Sequence, residues 1–245
     1  MATSVREQIS RSRMLRDPEE LMLGQIEIEG RMVDASNATL FGRISTEGKD
    51  GFAIVYKPVA GERPLWDFPD GNLAQREVAS YLVSRAGKFN CVPTTVLRDG
   101  PFGLGAVQQW IDINESIDFI ELGQSEESSI RNIALFDVIV NNTDRKFGHL
   151  LPVARNQVFG CDHGVTFHED FKLRTVIWQF AGAALTESER VQLSLVTSYI
   201  EHDPEFHSLL SRKEINAIKE RIERLELEGF PTPSDEWPAV PWPPV

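Results

Sequence analysis

Apolar residues alternate with polar ones at a spacing of two through the first part of the chain, and at a spacing near 3.6 through its last part. Ile26 and Ile28 alternate before Gly30, so Gln25 to Ala35 reads as a strand with Met32 and Val33 beyond the glycine. Asp34-Ala35-Ser36-Asn37-Ala38 is a turn, and Thr39 to Ile44 returns as a second strand. Phe52 to Lys57 (FAIVYK) is a third, rich in the β-branched and aromatic residues that fit a pleated surface. Three strands on tight turns make an antiparallel sheet. Val92 to Leu97 and Leu104 to Ile111 read as two further strands around a turn at Arg98 to Gly103. Gly100, Gly103 and Gly105 do not match GxGxxG and precede a strand rather than a helix, so they are turn residues.

The helical period starts early, with Asp17 as N-cap and Pro18 in the first position of a short helix. It takes over at Leu73 to Ala86, where Leu73, Val78, Tyr81 and Leu82 share a face, Asp70 or Asn72 can cap, and Gly87 stops the run. Asp112 to Gly123 reads as a linker with one helical turn. Glu126 to about Val140 carries Ile130, Ile133, Ala134 and Val138 on one stripe. Asp137 falls on that stripe too: it either holds the following loop through hydrogen bonds or sits exposed at the stripe's edge. RTVIWQFAG is an apolar core segment. Thr186 with Glu189 and Ser211 with Glu214 have capping-box spacing, for helices to about Tyr199 and about Leu227, and Asp203-Pro204 starts a short helix between them. The last sixteen residues, Phe230 to Val245, hold six prolines with Trp237 and Trp242, which excludes helix and central strand. This tail lies extended against the domain or docks a protein partner.

The pattern gives an α+β chain. Residues 1–16 are a flexible N-terminus, 17–111 a lobe built on strands, 112–230 a mainly helical lobe, and 231–245 a Pro/Trp-rich tail. At 245 residues with 41% hydrophobic content, a substantial core is available. The net charge of -12 excludes a general nucleic-acid binder, because phosphate backbones need a basic footprint. It also disfavours unaided docking on an anionic membrane. Nothing resembles a signal peptide, and no apolar run reaches the length of a membrane span, so the expected compartment is the cytoplasm. Cys91 and Cys161 are far apart and outside any CxxC spacing, which gives neither a disulfide framework nor a structural zinc site.

The chemistry concentrates in Asn141 to His168. Leu150, Leu151 and Val153, then Val158 and Phe159, form the strands of a short hairpin. It carries Asp144 and Asp162 at neighbouring ends. Two carboxylates brought together in this way suit a divalent cation and a reacting oxygen. A lone Asp beside Gly would only mark a turn; two on one hairpin, with Arg145, Lys146, His149, His163 and His168 around them, point to a site.

The order of Lys57 at the end of a strand, Glu77 on the next helix, Asp144 in a loop and Asp162 before Gly164 resembles the kinase plan. Phe136-Asp137 with Asn142-Thr143-Asp144-Arg145 is similar to the FDYII-NTDR stretch of type II phosphatidylinositol 4-kinases. Asp162-His163-Gly164-Val165-Thr166-Phe167 is similar to their metal-binding segment, and Lys57-Pro58 to both these enzymes and HipA-type kinases. With NTDRKFGH, DHGVTFH and LRTVIW, residues 25 to 180 most resemble a family of actinobacterial proteins related to the phosphatidylinositol 3-/4-kinase superfamily. The resemblance implies a protein-kinase-like two-lobe fold of the phosphatidylinositol-kinase type, with ATP and Mg²⁺ or Mn²⁺ as cofactors and an unidentified hydroxyl acceptor, lipid, protein or small molecule.

Carried over, Asp144 orients or deprotonates the acceptor, Asp162 binds the metal, and Arg145 or Lys146 steadies the γ-phosphate or an anionic acceptor. Lys57 and Glu77 hold the α- and β-phosphates, and Ser36, Asn37 and Thr39 of the first turn lie over the phosphates. Gln109, Trp110 and Ile111 occupy the place where a backbone edge reads adenine. Two departures stand out. His149 replaces the usual Asn as second metal ligand, and imidazole suits Mn²⁺ better than Mg²⁺. The covering turn also lacks glycine. These departures leave a catalytically weak pseudokinase, acting as a nucleotide-binding regulatory module, as one alternative. A metal-dependent hydrolase using His149, Asp162, His163 and His168 is another.

Overall fold

The early alternation produces β1 (Gln25–Arg31), β2 (Leu40–Ser45) and β3 (Phe52–Pro58), which join β4 (Thr95–Gly100) and β5 (Gly103–Gln109) in one sheet. The computed structural model describes residues 15–32, 38–47, 50–66, 68 and 73–245. The strand order is β1-β2-β3-β5-β4, and every neighbouring pair is antiparallel. The first strand is shorter than expected, and the turn at 34–38 lies outside the described residues except for Ala38.

The period of two sends Ile44, Ile54, Tyr56, Val96 and Val107 to one face, where Leu21 of α1 (Pro18–Leu23) covers them. Asp17 caps α1 by accepting from the Glu19 N–H at 3.0 Å. On the opposite face the register sets Lys57 beside Ala106 and Ala106 beside Leu97. That face meets α2 (Leu73–Ala86), which is buried on nearly every side, polar Arg76, Glu77, Ser80 and Ser84 included. Its first N–H groups donate to a distant side chain: Leu73 and Ala74 bond the Glu62 carboxylate at 3.1 and 2.8 Å. The expected caps, Asp70 and Asn72, lie outside the described residues. Gly87 is the first residue past α2, as expected of a stop, and has a packing role besides. The left-handed residues after α2 are Lys88 and Asn90, whereas a Cβ on Gly87 would fall 2.4 Å from the Phe89 ring. Glycine is needed there for close packing.

The helical part comprises α3 (Phe119–Gly123), α4 (Ser128–Val140), α5 (Glu187–His202), α6 (Pro204–Leu209) and α7 (Arg212–Glu228). Both expected capping boxes form, at Thr186/Glu189 and Ser211/Glu214. The apolar faces of these helices pack with α2 into one core, including Ile133, Leu193, Ile218 and Phe206. Between α4 and α5 lies the hairpin of β6 (Leu150–Ala154) and β7 (Gln157–Gly160). The tail lies against this body without helix or strand. Proline supplies no N–H, and the tail's carbonyls serve as acceptors. The Ala239 carbonyl accepts from the Thr175 N–H and the Trp178 indole, both at 2.9 Å, and that of Pro244 from the Phe147 N–H at 2.9 Å. Among the described residues no helix is long and apolar enough to cross a membrane, and Cys91 and Cys161 form no disulfide.

Candidate active site

The site is built on the C-terminal end of α4. Asn141 ends the helix in the left-handed conformation (φ 52°), which Asn tolerates better than most residues. Its amide donates to the His168 and Asp170 carbonyls, at 3.0 and 2.7 Å, tying the helix end to the segment after the hairpin. Asp137 is fully buried and takes the first of its two expected roles. Its carboxylate accepts from the Asn142 amide at 3.0 Å and twice from Arg145, at 2.9 Å each. Asn142 Oδ1 in turn accepts the Asp144 N–H at 3.0 Å, so the loop's shape is set from beneath.

This corrects the expectation for Arg145. Its side chain is fully buried, and its remaining N–H groups donate to the Cys161 carbonyl at 3.0 Å and to His163 Nε2 at 2.7 Å. A Cβ on Gly160 would fall 3.0 Å from this guanidinium, so glycine makes room for it. Arg145 is a bracket beneath the loop and does not reach the cleft, because Asp137 offers a bidentate partner in the interior.

Above the loop is a cleft of about 530 Å³, lined among others by Thr39, Lys57, Glu77, Asp144, Asp162 and Arg174. Lys57 Nζ bonds Glu77 Oε1 and Asp162 Oδ1, both at 2.5 Å. Burial alone would lower the Lys57 pKa, but Asp162 and Glu77 outweigh it and raise it. Lys57 likewise holds the Asp162 carboxyl well below the usual carboxylate range. Glu77 is buried at 3% side-chain exposure, while Asp162 is 55% exposed. Asp162 also has a left-handed backbone (φ 59°), an uncommon conformation that concentrates at functional sites. Asp144 stands across the cleft. Burial raises its pKa, against the lowering effect of Lys146, whose Nζ is 3.7 Å away.

His149 approaches Asp162, with Nε2 3.4 Å from Oδ2. Burial pushes its pKa down to about 4, leaving a neutral ring at pH 7. No group of three or more His, Cys, Asp or Glu side chains converges on a metal position among the described residues. A cation at Asp162 would have to take further ligands from water or a bound phosphate, as Mg²⁺ commonly does. An ionised carboxylate half open to the cleft fits that mode.

The remaining expectations divide. Thr39 lines the cleft, while Ser36 and Asn37 lie outside the described residues. Gln109 and Trp110 line a separate cavity of about 480 Å³ with Phe52 and Asp112. Their N–H groups are taken by the Thr94 and Ala53 carbonyls at 2.8 and 3.0 Å, and Ile111 is buried. Sheet pairing takes these two N–H groups. Two residues take places not expected of them. His163, expected at the site only as a neighbour of Asp162 or in the hydrolase alternative, is fully buried and joins both charge clusters: its backbone N–H donates to Glu77 Oε2 at 3.1 Å while its ring meets Arg145. Arg174, inside an apolar run, reaches the cleft; its arginine among core residues was the available signal. The Cys161 thiol, pushed up to about 12 by burial, is unreactive.

Fold and site together define an α+β protein with a charged cleft, in which a sheet lysine meets a helix glutamate and a loop aspartate opposite a second loop aspartate. Its sequence is 36% identical to Protein Rv2133c of Mycobacterium tuberculosis, over 94% of this chain and 96% of that one. The chain belongs to the same family. No family model matches it. Among solved structures, the Helicobacter pylori proinflammatory kinase CtkA is similar at a TM-score of 0.48 and 10% identity, over 85% of this chain and 94% of that one.

Proposed function

We propose that this chain is an ATP-dependent phosphotransferase of the kinase-like, two-lobe plan of the phosphatidylinositol 3-/4-kinases, acting on a hydroxyl acceptor. The observation that carries the reading is Lys57 bonded at once to Glu77 and Asp162, in the same cleft as Asp144. In phosphoryl transfer the protein mainly positions and neutralises. Glu77 orients Lys57, and the Lys57 ammonium binds phosphate oxygens. Asp144 accepts the acceptor's proton as its oxygen bonds the γ-phosphorus. The bond from that phosphorus to the β–γ bridging oxygen breaks, and the electron pair leaves on ADP. Burial of Asp144 raises its pKa and makes it a stronger base than a solvated carboxylate. Lys146, beside Asp144, steadies the group in transfer. Asp162 would hold a divalent cation, Mg²⁺ or Mn²⁺, which would supply charge neutralisation on the nucleotide phosphates; His149 would offer it a neutral nitrogen, which suits Mn²⁺ better than Mg²⁺.

The test is a thermal-shift titration with ATP, with and without Mg²⁺ or Mn²⁺, on wild type and Asp162→Ala. A ligand that binds only the native state raises the midpoint with occupancy. A metal-dependent rise, lost in the variant, supports the reading; no rise with any nucleotide overturns it. The imidazole in the second metal position favours one further reading, a nucleotide-binding module without turnover. ATP binding with no ADP release in the presence of any acceptor would select it.

A further inference from the structure

Arg174 is a cation of the cleft that the proposed reaction does not use. Its backbone is fixed: its N–H donates to the Asn142 carbonyl at 2.9 Å, and its carbonyl accepts the Arg145 N–H at 3.0 Å. Thr175 forms a parallel bridge with Arg145, so residues 174–176 run alongside the loop that carries Asp144. From the other side the tail holds the same segment, through the Thr175 N–H on the Ala239 carbonyl. The side chain lines the cleft, and among the described residues it makes no ion pair and its Nε is buried without a partner. Arg145 has Asp137 and Arg76 has Glu214 at 2.5 Å, while Arg221, which makes no ion pair among the described residues, donates to the Ile139 and His168 carbonyls. A half-buried arginine whose backbone is tied into the cleft wall, with no ion pair and no acceptor on its Nε, in a chain of net charge -12, calls for an anion from outside.

The position also says which ligand. The Arg174 N–H and carbonyl bond Asn142 and Arg145, the residues to either side of the Thr143–Asp144 pair, so Arg174 borders the Asp144 side of the cleft, and its charge acts on Asp144. That is the acceptor side of the proposed reaction. We infer that Arg174, seated in the cleft beside Asp144, anchors an oxyanion group of the acceptor, so that the acceptor is a hydroxyl compound carrying a phosphate or carboxylate. This rests on the phosphotransferase reading for the word acceptor; the anion site itself does not. A planar guanidinium recognises either oxyanion through paired N–H donors. With that group held, the hydroxyl is oriented toward Asp144.

Glycerol, glycerate and sn-glycerol 3-phosphate test this, since they differ in the group at one end. Each is titrated calorimetrically into the full chain with ADP and Mg²⁺ present, for wild type, Arg174→Gln and Arg174→Lys, and ATP affinity is measured in parallel. Wild type should bind one of the two anions at least about tenfold more tightly than glycerol, Arg174→Gln should lose at least about tenfold of that affinity, and Arg174→Lys should lose less. ATP affinity should change by less than about threefold, a small fraction of one charge-assisted hydrogen bond. Equal binding of the three compounds, or anion binding untouched in Arg174→Gln, overturns the inference. So does an ATP affinity that falls as far as the anion's, which would place Arg174 in the nucleotide site. Wild type that binds ATP but neither anion overturns it and leaves the phosphotransferase reading standing. Anion binding that depends on Arg174, in a chain that binds no ATP, supports the anion site and removes only that reading.

Discussion

Two charge clusters sit on opposite sides of one loop and differ in what they leave over. Beneath it, Arg145 and Asp137 are both fully buried, and Asn142, His163 and the Cys161 carbonyl take up further donors and acceptors. Above it, Lys57 serves Glu77, which is buried, and Asp162, which is half open to solvent. A buried charge is tolerable when its partners are complete, and removing one partner then leaves the other stranded. A charge whose partner faces solvent can exchange it for a ligand at small cost. The lower cluster holds shape, and the upper one is available for chemistry.

The sharpest way to break this contrast is Asp137→Ala. It strands the Arg145 guanidinium and should destabilise the fold by about 3–5 kcal/mol in urea unfolding. A loss no larger than that of an exposed pair, about 1 kcal/mol or less, would mean that the lower cluster is not structural. Lys57→Met in the upper cluster should abolish the ATP-dependent midpoint shift while costing less stability than Asp137→Ala, about 1–3 kcal/mol for the stranded Glu77. Equal costs for the two variants would erase the distinction. His163→Phe removes the acceptor of one Arg145 N–H while preserving the ring contact with Phe136, and should cost about 1–3 kcal/mol. Because Arg145 can only donate, the His163 ring accepts through Nε2 and is neutral, in line with a pKa held well below its ordinary value by burial.

The smallest effect is on acid stability. Glu189 and Glu214 have pKa values below the ordinary 4.5: burial pushes them up, but bonds from Arg131 and Thr186, and from Arg76 and Ser211, prevail. Their contribution is complete above the unfolded-state pKa and is lost as pH falls through the lower native values. Most of that loss falls below pH 4.5, so urea unfolding between pH 6 and pH 4 should show a decline of less than about 1 kcal/mol from each.

The difference between the two clusters also shows where a sequence can be read. Lys57, Glu77, Asp144 and Asp162 are far apart in the chain, yet their order along it resembles the kinase plan, and that resemblance is what groups them. Arg145 adjoins Asp144 and differs from it only in direction. The same pattern serves an arginine facing the cleft and one facing the interior; the choice fell to Asp137, eight residues back on α4, whose carboxylate meets the guanidinium only after the helix ends in its left-handed turn. Gln109 and Trp110 show what chain position leaves open: it gives their place at the end of β5, while only the fold shows that their N–H groups bond the carbonyls of Thr94 and Ala53. Gly87 is legible by residue type as a helix stop, and the fold adds that Phe89 and Val196 around it require the missing Cβ.

By itself the sequence determined the strands, the capped helices, the hairpin and the set of residues able to carry chemistry, because period, capping and turn preference act over a few neighbouring residues. Tertiary structure alone decided which charges face the cleft and which hold the loop. It buried Arg145, brought His163 between the clusters, set Glu62 on the first turn of α2 and carried Arg174 to Asp144. Each of those outcomes depends on a partner distant in sequence, and the free energy of a buried charge is fixed by that partner and by the solvent it excludes.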